Sequence, residues 1–249
     1  MAEDDIGKLK KRFCELSERA ERSGVPQCTR FLNMAEQSVL LSLRLAVPPF
    51  LWGGYDGAER RMAVFAADED EARREAEEQL CCLCISPANG RFAQELTHRD
   101  HLGSLMGLGI TREVLGDIVL REGSAYLFCM ESVAGFIAEN LEKVRNTTVK
   151  CAPAELPEGG GAEAEERSVT VASERLDSII AAVWKLSREE AKALCERGLV
   201  YVDSRLVTKA GSQLDEGCAV SVRGRGRFTY LGLERETKKG KLRVRVRLP

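Results

Sequence analysis

Histidine is nearly absent. The chain has two histidines among 249 residues, and both fall in one tetrapeptide, His98-Arg99-Asp100-His101. The nine cysteines therefore have few partners for a zinc site. Cys81-Cys82-Leu83-Cys84 contains one C-x-x-C spacing, but no second Cys or His pair lies at zinc spacing. Adjacent strand residues point to opposite faces, so this run suits a strand better than a tetrahedral site. The cysteines, odd in number and mostly in apolar patterns (Cys81, Cys129, Cys195), read as free structural thiols in a reducing cytosol. Long apolar runs are also missing. Nothing approaches the roughly 18 uninterrupted apolar residues of a membrane span. The N-terminus MAEDDIGKLKKRF has no apolar core of signal-peptide length. A cytoplasmic protein without a membrane partner is expected. The Gly-rich run Gly53-Gly54-Tyr55-Asp56-Gly57 precedes a strand and lacks the Lys-Ser/Thr and following helix of a phosphate loop. No metal, small-molecule cofactor or catalytic residue is assigned.

Net charge is also scarce, at −2, but the total hides an asymmetry. From Ala172 to Pro249 there are 17 Lys and Arg against 10 Asp and Glu, a net of +7. The remainder carries 20 against 29, a net of −9. A basic C-terminal module on an acidic body points to a nucleic-acid-binding end.

That module is centred on Ser173–Phe228. Leu176, Ile179, Ile180 and Val183 recur at helical spacing. A second helix starts at Ser187, with Glu190 three residues on in a capping-box pattern, and buries Ala191, Leu194 and Cys195. Gly198 is placed to end it. Period-two alternation follows at Leu199–Val202, then a polar turn at Asp203-Ser204. Cations decorate the unit: Arg175, Lys185, Arg188, Lys192 and Arg197 on or between the helices, then Arg205, Lys209, Arg223, Arg225 and Arg227. Arg188 and Lys192 are i,i+4 neighbours and can face the same way. Clustered like charges repel, a cost that a polyanion relieves as counterions are released. A solvated charged face is the plainer reading. The pattern R-L-D, L-S-R-x-x-A, G-x-V-x-V and R-G-x-G-R-F resembles an S4 (α-L-type) RNA-binding domain. Asp203-Ser204 stands where such domains carry Asn-Gly, and Cys218 where Asp is usual. The resemblance makes the ten cations above, with Ser187, the expected RNA-binding residues.

The rest of the chain is organised around this module. Residues 1–49 read as a helical region, with one helix over Lys8–Arg22 and another over Met34–Val47 behind Asn33, stopped by Pro48-Pro49. Residues 50–151 read as an α+β domain with strands at Met62–Ala66 and Leu80–Ile85 around an acidic run. A helix over His98–Leu108 is capped by Thr97. A hairpin turns at Glu122-Gly123. A helix follows over Val133–Val144, burying Phe136, Ile137 and Leu141, and a strand closes at Thr147–Cys151. The order β-β-α-β-β-α-β suggests a ferredoxin-like or RRM-like sheet with helices on one face. No RNP-type aromatics are recognised in it, so base stacking by this sheet is not expected. Residues 152–167, APAELPEGGGAEAEER, are too polar and Gly/Pro-rich to stay ordered and read as a linker. The S4 domain fills 168–249 and ends in a hairpin turning at Lys238-Lys239-Gly240. Arg243, Arg245 and Arg247 there share one strand face, to touch phosphates or to stay wet. The fold class is thus α+β.

His98-Arg99-Asp100-His101 invites comparison with catalytic loops. The kinase H-R-D loop needs a later Asn, a D-F-G and a nucleotide lobe, all missing here. S4-bearing pseudouridine synthases carry H-R-L-D in a far larger domain. A helix start explains the motif as well, with Thr97 as cap and Asp100 at the dipole's positive end. His98, Arg99 and Arg112 remain possible RNA or ribosome contacts.

Across nearly its full length the chain resembles the YlmH-type family of bacterial S4 proteins. The matching stretches are FLNMAEQ, GGYDGAERR, LTHRDHLGSLMGLGITREVLGDIV, GRGRF and KKGKLRV. The resemblance implies a non-enzymatic, ribosome-associated RNA binder. Its partners would be rRNA of the large subunit and tRNA, and it would act in rescue of stalled complexes as a monomer off the ribosome. The alternatives are an RNA-modifying enzyme targeted by its S4 module, or a cell-division adaptor using the N-terminal helices.

Overall fold

The computed structural model describes residues 3–89, 96–157, 165–237 and 240–248. The chain forms two compact units, Met1–Ala162 and Glu163–Pro249. Among the described residues no helix is long and apolar enough to cross a membrane.

The first unit opens with α1 (Glu3–Ser23), whose apolar stripe seats Phe13 and Ala20 in a core with Leu32, Leu40, Ala63 and Phe65. The next helix, α2 (Met34–Leu41), starts with a capping box. Asn33 Oδ1 accepts from the Ala35 and Glu36 amides at 2.9 and 3.1 Å, and Glu36 accepts from the Asn33 amide at 2.7 Å. This helix stops at Leu41, six residues short of the expected Val47. Beyond it, in turns and bends, every second residue, Leu43, Leu45 and Val47, packs on the core. The Val47 amide donates to Ser17 Oγ at 2.8 Å, pinning that segment to α1.

The N-terminal region is also not purely helical. Strands β1 (Gln27–Cys28), β2 (Phe50–Trp52) and β3 (Met62–Phe65) form a small antiparallel sheet in the order β1-β3-β2. The expected strand at Met62 therefore pairs with residues 27–28 and 50–52 instead of joining the larger sheet. Every residue of β3 is buried, a two-sided burial that only a central strand between covering layers allows.

After α3 (Glu69–Gln79), capped by Asp68, comes a five-stranded antiparallel sheet. It comprises β4 (Leu80–Pro87), β5 (Leu115–Arg121), β6 (Ser124–Met130), β7 (Lys143–Val144) and β8 (Thr147–Pro153), in the order β5-β6-β4-β8-β7. With α4 (His98–Gly107) and α5 (Glu131–Asn140) between strands, the connectivity is ferredoxin-like. Leu83, Ile85, Ile118, Leu127 and Cys129 face the helices, which supply Leu105, Ala134 and Ile137. Helix α5 ends at Asn140, and Lys143–Val144 already forms strand. Phe136, expected inside, is 49% exposed, because Ala134 and Ile137 take the core-facing positions of α5.

The second unit packs α6 (Leu176–Trp184) and α7 (Arg188–Glu196) on a six-stranded sheet. Its strands are β9 (Glu165–Val171), β10 (Val200–Val202), β11 (Arg205–Leu206), β12 (Ala219–Val222), β13 (Gly226–Glu236) and β14 (Leu242–Leu248), in the order β11-β10-β12-β13-β14-β9. The core is apolar, with Ile179, Ile180, Val220, Phe228, Tyr230, Val244 and Val246. The turn at Asp203-Ser204 has positive φ at both residues, 46° and 63°. That is the conformation Asn-Gly adopts most readily. Asp203 offsets part of the strain by accepting from the Ala219 amide at 2.8 Å.

The interval expected as a linker is not wholly irregular. Ala152 and Pro153 belong to β8, and Glu165–Arg167 to β9, where β14 completes their ladder. Residues 158–164, and the turn residues 238–239, lie outside the described residues.

Candidate nucleic-acid interface

Two arginines meet on one carboxylate where the S4-like helices begin. Arg175 is the N-cap of α6, and its Nε and a terminal nitrogen reach both oxygens of Asp177 at 3.1 and 3.0 Å. Arg188, the first residue of α7, donates through Nε to the same carboxylate at 3.3 Å. Asp177 itself is buried at 2% exposure, while the Arg175 and Arg188 side chains are 44% and 55% exposed. One carboxylate cannot neutralise two guanidiniums, so the clip keeps a net positive charge and holds both forks in place. Burial pushes the Asp177 carboxyl up, but the hydrogen bonds from Arg175 and Arg188 outweigh it and hold it below the usual Asp range. The cations of the helical pair are thus partly engaged by a carboxylate, yet gathered by it as well.

Other predicted cations converge on the same end. The Leu176 and Asp177 amides donate to the Ser212 and Ala210 carbonyls at 2.8 and 3.0 Å, which fastens the loop carrying Lys209 to the start of α6. A Cβ on Gly211 would lie 3.1 Å from an Arg175 nitrogen. Arg223 and Arg225 occupy the β12–β13 turn, closed by the Arg225 amide donating to the Val222 carbonyl at 2.9 Å. Arg225 acts electrostatically on Glu190, so this turn lies beside the start of α7. Arg227 follows on β13, opposite Ser221. Lys185 closes α6 in the left-handed conformation, φ 53°.

A second group lies apart. Arg197 caps the far end of α7, a helix of nine residues and therefore roughly 13 Å long. Arg205 is on β11, whose Leu206 lies beside Gly198 at that end. Lys192 pairs with Glu196 at 3.4 Å in an exposed i,i+4 contact of little energetic weight. On β14, Arg243 pairs with Glu234 at 3.3 Å and Arg247 with Glu166 at 2.7 Å, so two of that row's three cations are engaged.

Ser187, expected to touch RNA, is occupied in starting α7. Its hydroxyl donates to Glu190 at 2.8 Å and accepts from the Glu190 amide at 3.2 Å. Ser187→Ala should lower S4-unit stability by about 1 kcal/mol. Thermal melts monitored by circular dichroism check this, and an unchanged midpoint would contradict the cap's role.

In the first unit, His98 and Arg99 open α4 and are exposed. Partial desolvation of its ring by the surrounding protein, then repulsion from Arg112, pull the His98 pKa down. Thr97 and Asp100 form a complete capping box, with the Asp100 carboxylate accepting from the Thr97 amide at 2.9 Å and hydroxyl at 2.7 Å. Arg145 lies 3.5 Å from the same carboxylate.

Arg112 is engaged with the backbone. A bulge in β5 breaks its pairing with β6 between Leu115 and Ile118. Arg112 donates to the Leu115 and Gly116 carbonyls there, both at 2.8 Å. Arg60 adds bonds to the carbonyls of Leu115 at 2.9 Å, Arg112 at 3.0 Å and Phe31 at 3.1 Å. Burial, then repulsion from Arg60, lowers the Arg112 pKa to about 10. Asp117 receives the Tyr55 hydroxyl at 2.9 Å and the Glu59 and Arg60 amides at 2.7 and 3.1 Å. The roles of Arg60, Asp117 and Asp177 are not legible in the sequence. Their signal was present only as charged residues inside the stretches Gly53–Arg61, Leu96–Val119 and Arg175–Asp177.

All nine cysteines are free. Burial pushes the Cys82 thiol up to about 12 and those of Cys151, Cys195 and Cys218 up to about 11, so they stay protonated at neutral pH.

Comparison with known proteins now adds identity of type. The family described as "Putative RNA-binding domain in YlmH" matches residues 80–158, and the S4 domain matches residues 174–219. The chain is 33% identical over 223 residues to the ribosome-associated protein quality control protein P2 of Bacillus subtilis (strain 168), covering 87% of this chain and 84% of that one. Its fold is similar to that of the cell division protein ylmH from Streptococcus pneumoniae. There the TM-score is 0.50 and the identity 17%, over 64% of this chain and 95% of that chain.

Proposed function

We propose a function from one premise: the chain belongs to the YlmH family of S4-domain proteins. On that premise it is a non-enzymatic RNA-binding factor of the bacterial cytoplasm. It grips folded RNA of the large ribosomal subunit, peptidyl-tRNA or both, in quality control of stalled ribosomes. The observation that carries this reading is the Arg175–Asp177–Arg188 clip, two half-exposed guanidiniums held on one buried carboxylate. Fixed forks of this kind match the geometry of phosphate oxygens. The name of the Bacillus relative supplies the ribosomal setting. Engagement of Asp100 by Thr97 and Arg145 supports a binding role over a catalytic one.

Sedimentation of cell lysate on a sucrose gradient tests the proposal. The protein is expected in large-subunit fractions at low salt and is released as salt rises, because each neutralised phosphate adds to the salt slope. Protein remaining at the top of the gradient at low salt would end this reading.

A further inference from the structure

We propose that the ferredoxin-like sheet carries a second RNA-contact surface, where the Tyr126 ring stacks on an unpaired base. This rests on the RNA-binding reading and adds the form of the ligand, single-stranded nucleotides.

The argument begins with strand parity. On β4, Leu83 and Ile85 are fully buried against the helices, which leaves Leu80, Cys82, Cys84 and Ser86 on the opposite face. Register then places Tyr126 beside Cys84 and Phe128 beside Cys82. Both aromatics stand on β6, a central strand of the sheet, with their rings away from the helices. The sequence reading recognised no stacking aromatic here, because Tyr126 and Phe128 look like ordinary alternating core residues until the sheet order is known.

Most of this second face is covered from within. Leu80 and Met130 pack against Ala72 and Ala76 of α3. Phe128 is stacked on Tyr55, with ring centroids 5.0 Å apart, and a Cβ on Gly54 would strike its ring at 2.2 Å. The cover ends before Tyr126, which stays partly open. Its neighbours across the strands are Val119 on β5 and, on the other side, Cys84 and Ala152, with Ser86 and Lys150 paired beyond them. The small residues on the β4 side leave clearance for a flat ring. Exposed Lys150 stands by to meet a phosphate, and Arg121 ends β5 opposite Ser124. Arg121 also donates to the Pro157 carbonyl at 3.0 Å, so the chain leaving β8 returns to this face. Glu122 is the carboxylate acting on the Tyr126 hydroxyl, which also contacts Cys84. One open ring with flanking cations suits a stacked base. A protein-docking patch would need a broad apolar area, which this window lacks.

The test uses the full chain and a short single-stranded oligouridine carrying photoreactive 5-iodouracil. Crosslinks are expected in the β6 peptide. Tyr126→Ala should weaken oligouridine binding roughly 5- to 100-fold, the usual range for losing one stacked base. Tyr126→Phe should bind like the parent. If Tyr126→Ala loses its circular-dichroism signal, Tyr126→Leu keeps the bulk without the π-face and serves instead. Arg188→Ala should leave the β6 crosslink in place while reducing large-subunit binding, which separates this proposal from the S4 reading. Unchanged affinity on loss of the ring, crosslinks confined to residues 165–248, or no oligouridine binding at all would each overturn it. So would loss of subunit binding in Tyr126→Ala when the parent itself ignores oligouridine, since that outcome marks a protein contact.

Discussion

Arg60→Ala lowers the unfolding temperature of the first unit by roughly 10 °C. The side chain donates three hydrogen bonds, to the carbonyls of Leu115, Arg112 and Phe31. Those oxygens cluster where the β5 bulge interrupts the ladder. Bonds from a charged donor carry about 1.5–3 kcal/mol each, and although the Leu115 and Arg112 carbonyls keep a second donor, all three lose a charge-assisted bond. The losses are not additive, and a total of about 3–4 kcal/mol is expected. For a unit of this size each kcal/mol shifts the midpoint by roughly 2–4 °C. Arg60→Lys should rescue little, because an ammonium cannot fork between carbonyls held by different elements. Differential scanning calorimetry of the full chain reads both variants. A midpoint within a degree or two of the parent would show that the Arg60 fork is dispensable.

The second large effect concerns RNA. Arg175→Ala and Arg188→Ala should each weaken binding to large-subunit RNA by roughly tenfold, as loss of a charge-assisted bond implies. Together they should flatten the slope of log affinity against log salt by about 1.5, from two lost phosphate contacts. The informative companion is Asp177→Asn. If net charge alone governs binding, deleting a carboxylate tightens it. If the carboxylate's role is to hold two forks in register, binding loosens although the protein has become more positive. Filter binding across a salt series gives the sign. The same pair sets an acid limit. The Asp177 pKa is depressed in the fold, so its contribution is complete above the unfolded value near about 3.9 and is lost as pH falls through the lower folded value.

The legible parts of the sequence were those with strong local grammar. The Ser187/Glu190 capping box and the Asn33 and Thr97 caps were readable from spacing alone; all form, and Glu36 and Asp100 complete boxes at the latter two. The α+β class and the S4 unit followed from period and motif, and the family comparisons agree. What local grammar could not reach was long-range pairing. Residues 43–47 look helical by composition, yet they leave the helix, with Val47 tied to Ser17 and followed by Pro48-Pro49. The partners of β3 are strands of two and three residues, too short to announce themselves. The site divides the same way. The cations of the α6–α7 region were visible as residues, but Asp177 acquires meaning only when Arg175 and Arg188 arrive from two helices. Arg112 looked like a surface cation because nothing in the sequence reveals a bulge.

The ordering of the S4 sheet bears on how this unit folds. Strand β9 opens the second unit, yet the neighbour it pairs with is β14, the last of that sheet in chain order. Until β14 joins, β9 has no ladder and β13 keeps one bare edge. Closure of that sheet therefore awaits contact between its first and last strands, a long-range pairing that costs more loop-closure entropy than any of the local hairpins.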